Sequence, residues 1–308
     1  LLGQAGGGNL PDAYDPKTAP KVGELDGLKA FATALSQIFG CSSSLIFKSL
    51  FSNTELEYYS KLRSWLFMIV NLTEKGWEVI YHRAHALLAA QLAGYWRTRD
   101  ATARLVETVA AISHHDDLER EWEGNELTEA GAPLDFTLSK QSPVEQLAEN
   151  VTNARYRGRW VALLTSMHMS FLNEPKRGDS AELDKFLDQQ LELQQQWRQG
   201  LKLTKNDADK AYAFMQWCDR LSLILCQQEL PVDEHALEIT KGPDGQRYDV
   251  VQRSDGSVSV KSWPFKEERF TVSVEACYLS QIKFEDNASL RAALQIAPIK
   301  TLEWTFVK

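Results

Sequence analysis

The chain has 308 residues, 44% hydrophobic and 25% charged, ordinary proportions for a soluble globular protein and enough for one large domain with additions. A formal net charge of −8 argues against a nucleic-acid-binding surface and leaves small anionic substrates open, provided a metal or local Arg/Lys supplies positive charge. No apolar run reaches the length of a membrane span, and Cys41, Cys218, Cys226 and Cys277 show no CxxC spacing, so a cytoplasmic, reducing compartment is expected.

Residues 1–24, LLGQAGGGNLPDAYDPKTAPKVGE, are rich in Gly and Pro and read as a disordered extension. Residues 25–67 read as short helices. The first methionine, Met68, opens a strand-like run, MIVNLTE, and is the expected start of the functional unit. From about residue 77 to 230 the pattern is helical: WEVIYHRAHALLAAQLAGYW, TARLVETVAAISHH, YRGRWVALLTSMHMSFLN, AELDKFLDQQLELQQQWRQGL and DADKAYAFMQWCDRLSLILCQQ carry apolar residues three and four apart. A polar stretch containing Gly131-Ala132-Pro133 reads as a long loop between the second and third of these. After Pro231 come ALEIT, RYDVVQR, SVSVKSW, RFTVSVEACYL and LEWTFV, rich in β-branched and aromatic residues, with GPDGQ and SDGS as turns. The expected fold is therefore mainly α: a helical domain over 68–234, with a small antiparallel sheet over 235–308 packed on it.

Helical phase, about 100° per residue, sorts the polar side chains. In the helix ending in HHDD, Leu105, Val109 and Ile112 define the buried stripe; Asp116 falls almost on it and His115 at its edge, while His114 points away. His85 aligns with Tyr81, Leu88, Leu92 and Tyr95, and His82 lies about 60° off that line. His168 sits beside Trp160, Leu164, Met167 and Phe171. Asp219 lies in a helix apolar nearly all round, and a carboxylate there costs several kcal/mol unless paired or bound to a cation. A lone inward His or Asp is more often a hydrogen-bonded core residue or an arginine partner. Four helices each offering one favour a joint site, and two imidazoles with two carboxylates suit Mn, Fe, Ni or Zn.

The order His85, then His115-Asp116, then Asp219 resembles the HD superfamily of metal-dependent phosphohydrolases. That resemblance implies an HD-like helical bundle in which these four residues bind a divalent transition metal that activates water for attack on a phosphate ester or nucleotide. His168 would then contact the phosphate or act as general acid, and Asp117 or Glu119 would orient water. The segments HALLAAQLAGYW, HHDD, LLTSMHMSFL, WCDRLSLILC and WPF also resemble an uncharacterised bacterial family, domain of unknown function 3891, which implies no activity. HDDLER keeps Glu119 but has Arg120 where stringent-response hydrolases carry a second acid. Only His168 lies between the HD pair and Asp219, where di-iron oxygenases of this type have two histidines. A mononuclear phosphohydrolase site is thus favoured over a di-iron oxygenase, and over a non-enzymatic small-molecule-binding protein with a polar core. No nucleic-acid or membrane partner is expected, and no segment signals an oligomeric state.

Overall fold

The computed structural model describes residues 68–97, 104–117, 126–138 and 143–308. The chain divides into Leu1–Arg63 and Ser64–Lys308, and every described residue belongs to the second unit. The expectations for 1–24 and 25–67, and the candidate Glu119, lie outside the described residues.

The first two elements are strands, β1 (Met68–Thr73) and β2 (Gly76–Tyr81), joined by a tight turn and paired antiparallel from Met68↔Tyr81 to Thr73↔Gly76. Gly76 has φ +127°, and a Cβ there would meet the Leu279 carbonyl oxygen, so the turn needs glycine. Helices follow: α1 (His82–Tyr95), α2 (Leu105–His114), α3 (Val144–Ala154), α4 (Arg159–Asn173), α5 (Ala181–Gly200) and α6 (Lys205–Cys226). Strands β3 (Ala236–Lys241), β4 (Arg247–Gln252), β5 (Val258–Lys261) and β6 (Arg269–Leu279) come next, then α7 (Asn287–Ile296) and β7 (Ile299–Val307).

All seven strands form one sheet in the order β1-β2-β6-β7-β5-β4-β3, curled into a half-barrel. Its pairs are antiparallel except β5 with β7, which meet in parallel at Val258↔Phe306. The expectation of a mainly α fold, an HD-like bundle with a small C-terminal antiparallel sheet, is overturned: the fold is mixed α/β. Two strands come from the N-terminal side of the helices, and β2 pairs with β6 from Trp77↔Leu279 to Val79↔Cys277. The helix expected from Trp77 begins at His82. GWEVIY satisfies a helical window by its apolar spacing, but a strand partner two hundred residues away supplies the backbone hydrogen bonds that decide its conformation.

Local chemistry accounts for some of the other element ends. Ser180 caps α5 by accepting from the Leu183 N–H, and Thr204 with Asp207 forms a reciprocal capping box on α6. GPDGQ and SDGS turn as their residues predict, with Gly245 at φ +76° and Gly256 at +80°.

The core lies between helices and sheet. Trp217 of α6 is fully buried and meets Trp96 edge-on at 4.8 Å between ring centroids, with Tyr248 and Phe265 within 6 Å. Trp263-Pro264-Phe265 docks on the end of α1, where the Arg97 N–H donates to the Pro264 carbonyl and the Lys266 N–H to the Tyr95 carbonyl. Trp96, Trp160 and Trp217 are all buried in this packing. Large buried aromatics of this kind contribute most of the driving force for such a core.

Candidate metal centre

Four elements bring polar groups together, and the end of α2 brings two of them. His85 stands on the first turns of α1, immediately after β2 turns into helix. α2 ends at His114; His115 is its C-cap and keeps helical backbone angles (φ −64°, ψ −25°), so the phase relation continues through the turn that carries Asp116. α4 contributes His168, and α6 contributes Asp219.

His85 Nε2 lies 3.3 Å from Asp116 Oδ2 and 3.4 Å from Asp219 Oδ1, and His115 Nε2 lies 2.9 and 3.3 Å from the same two oxygens. Ligands held about 2.1 Å from one ion stand about 3.0 Å apart along an octahedral edge and about 3.4 Å along a tetrahedral one. The four His–Asp separations fall in that range, and His85, His115 and Asp219 offer ligand atoms that lie within 4.8 Å of one another.

The rear nitrogens of the two rings fix their tautomers. His85 Nδ1 donates to the His82 carbonyl at 3.0 Å, and His115 Nδ1 to the Ile112 carbonyl at 2.7 Å. A carbonyl only accepts, so Nδ1 carries the proton and a neutral ring presents the Nε2 lone pair inward. A ring in that state faces carboxylate oxygens acceptor to acceptor. Burial works against a charge on His115, but Asp116 and Asp219 outweigh it and hold this imidazole well above its ordinary pKa. His85 cannot answer the same demand: burial, helped by His82, pushes its pKa down to about 3. Burial alone would raise both acids, yet the imidazoles, His115 foremost, hold Asp116 and Asp219 below the usual carboxylate range. A proton on His115 relieves only part of the set; a divalent cation relieves all four atoms. The cluster can hold a metal ion.

Two more imidazoles flank it. His82, read from phase as lying off the inward line, places Nδ1 3.2 Å from Asp116 Oδ2 and packs on Phe136. The signal that finds it is its i, i+3 relation to His85, which shares a helix face near an N-terminus. His168 is buried, edge-on to His115 at 5.0 Å between centroids, and Tyr212 lies 3.4 Å from its Nδ1. Burial, with His115 beside it, lowers the His168 pKa to about 4. Burial and the Asp219 charge keep the Tyr212 hydroxyl protonated far above the usual range.

His114 points outward, as phase requires, with its Nδ1 2.8 Å from Asp117. Asp117 is not in the cluster. Its carboxylate pairs with Arg157, and its backbone carbonyl accepts from Arg83. Asp117 and Arg157, with Asn153 and Tyr156, line an open cleft of about 460 Å³ that begins one residue from Asp116. A further support, missed from the sequence, is Asn150 of α3, which donates to the His115 carbonyl at 2.9 Å.

Among the described residues no helix is long and apolar enough to cross a membrane, and Cys218, Cys226 and Cys277 are free and buried. Comparison with curated proteins and with solved structures gives no match. Every residue of the cluster, from His82 to Asp219, lies within the reach of one family model, described as protein of unknown function (DUF3891) and matched over residues 68–281; the chain belongs to that family.

Proposed function

We propose that the protein is a metal-dependent phosphohydrolase, with His85, His115, Asp116 and Asp219 holding a divalent transition ion (Mn, Fe, Ni or Zn) and a small phosphate ester or nucleotide as substrate. One observation carries this reading: two imidazoles with carbonyl-fixed tautomers each meet two carboxylates at coordination-edge distances, and among the described residues no Lys or Arg is paired with either carboxylate. The order of the ligands along the chain, His, His-Asp, Asp, is that of HD-type hydrolases and supports the choice of reaction. Such an ion, when bound, lowers the pKa of water and neutralises phosphoryl charge.

The chain supplies the rest. Arg83 and Arg157, gathered on Asp117, set positive charge beside the cluster in a chain of net charge −8, which favours an anionic substrate there. Asp117 thus orders the rim arginines. His168 offers a ring nitrogen within 4.8 Å of ligand atoms of His115 and Asp116, close enough to serve a substrate bound at the cluster.

Protein purified without chelator is expected to carry one transition ion per chain by mass spectrometry. His115→Ala and Asp219→Asn should lose it, with affinity falling by at least about 100-fold. Wild type loaded with Mn, Fe, Ni or Zn should hydrolyse members of a phosphomonoester panel. A folded wild type that takes up no ion defeats the proposal. His82 and His168, each grouped with Asp116, favour a second reading, a di-iron oxygenase. That reading requires two irons per chain and an oxygen-dependent optical change, and one ion per chain excludes it.

A further inference from the structure

The three innermost imidazoles differ in what stands behind them. His85 and His115 each give Nδ1–H to a backbone carbonyl, which can only accept. His168 Nδ1 instead meets the Tyr212 hydroxyl, which can donate or accept. Tyr212 is buried on α6, seven residues before Asp219 and so two turns along the same face. Among the described residues its hydroxyl has one hydrogen-bond partner, His168. Were His168 to donate to Tyr212, the tyrosine O–H would be a buried donor left without an acceptor, the costlier way to leave a hydroxyl. With Tyr212 donating, only oxygen lone pairs go unused.

We propose that Tyr212 donates to His168 Nδ1 and so fixes the neutral ring as the Nε2–H tautomer, making His168 a hydrogen-bond donor into the metal centre and not a ligand. Tyr212 is then a positioning residue, and the group recognised at Nε2 is an anionic oxygen, such as the non-bridging oxygen of a phosphate ester. The tautomer follows from the Tyr212 contact alone; the donor's target rests on the phosphohydrolase reading. The arrangement also separates the roles of the histidines: lone pairs inward from His85 and His115, an N–H inward from His168.

The test is nitrogen-15 NMR of histidine-labelled full chain loaded with Zn, together with its metal content and its turnover of p-nitrophenyl phosphate. In wild type the His168 Nε2 should be of the protonated, pyrrole-like kind and Nδ1 of the bare, pyridine-like kind. Tyr212→Phe should abolish that preference, keep the wild-type metal content and lower kcat about tenfold with KM little changed. His168→Gln should also keep the ion. A wild-type His168 protonated at Nδ1, or loss of the ion in His168→Gln, overturns the proposal. If His168→Gln does not fold, the wild-type and Tyr212→Phe spectra still decide. An Nε2–H tautomer in a protein that turns over no phosphate ester would leave the assignment standing and remove the phosphohydrolase reading.

Discussion

Each buried charge in the described residues has a different answer to the cost of leaving water. Glu78 is almost fully buried and accepts from Tyr278 at 2.6 Å, Gln228 at 2.8 Å and Asn71 at 3.0 Å, a satisfied carboxylate. Asp116 and Asp219 share imidazoles and call for a cation. Glu126 is the poorly answered one: both oxygens are buried without a hydrogen bond, and its ion pair with Arg291 is long, at 3.7 Å. Burial raises its pKa to about 7, against the pull of Arg291, from an ordinary 4.5. Below pH 4.5 the group is protonated in both folded and unfolded chains and contributes no pH dependence. Between 4.5 and about 7 only the unfolded chain gives up the proton, so stability falls as pH rises, and the whole cost is present above 7. Glu126→Gln should therefore gain stability over wild type by about 1–3 kcal/mol on going from pH 5 to pH 8. Urea titrations at the two pH values measure it, and an equal difference at both would contradict the assignment.

Among the elements, α2 is the one whose position the metal centre depends on most, because two of the four candidate ligands sit at its C-terminal end. Two side-chain hydrogen bonds among the described residues tie it to its neighbouring helices. Trp160 of α4 donates its indole N–H to Thr108 at 2.9 Å in the middle of α2, and Asn150 of α3 donates to the His115 carbonyl at its end. The first ties α2 to the helix that carries His168. The second satisfies a carbonyl that the helix itself leaves unpaired. Asn150→Ala is expected to cost about 1–2 kcal/mol of stability and about tenfold in metal affinity, since it frees the peptide that orients His115. A competitive chelator titration reads the affinity directly. Thr108→Val keeps the shape but orphans the Trp160 N–H, and should lower stability by about 1–3 kcal/mol with metal affinity less affected. If both substitutions reduced affinity equally, the end of α2 would hold no special place.

Across the molecule, sheet and cluster depend on one another. β2 runs into α1 at His82, and α6, which carries Asp219, ends at Cys226, whose carbonyl accepts from Asn71 of β1 at 2.7 Å. The loop carrying Asp135 is tied to the same strand, where the Val70 N–H donates to its carboxylate, and Phe136 beside it packs on His82. On the metal-dependent reading proposed above, removal of the ion should be felt as a loss of global stability. An ion present at 100 times its dissociation constant adds about 2.7 kcal/mol to the folded state. Chelation is expected to lower Tm by several degrees, and replacing the ion to restore it. An unchanged Tm in protein shown to have lost its ion would mean that the cluster is balanced by a proton alone.

The inward residues at the end of α2 were legible in the sequence because helical phase is local, whereas phase set His82 off the inward line and put Phe171, 50% exposed, on the buried stripe of α4. About 100° per residue, with helical backbone kept through the turn after α2, is enough to send His115 and Asp116 inward and His114 outward. The lone acid in the apolar helix around Asp219 carried the same information, since burying a charge has a cost wherever it happens. The turns at GPDGQ and SDGS were legible for the same reason, their glycines fixing the backbone within a few residues. What lay beyond the sequence was everything set by distant partners. GWEVIY is a strand because β6 is there to pair with it, and the sheet is seven-stranded and mixed because both ends of the described chain return to it. His82 joins the cluster, and Asp117 goes to Arg157 and leaves it, by where other helices stand. Local sequence determines which way a side chain points; only the tertiary structure decides what it points at, because long-range pairing and packing are not encoded in any short window of residues.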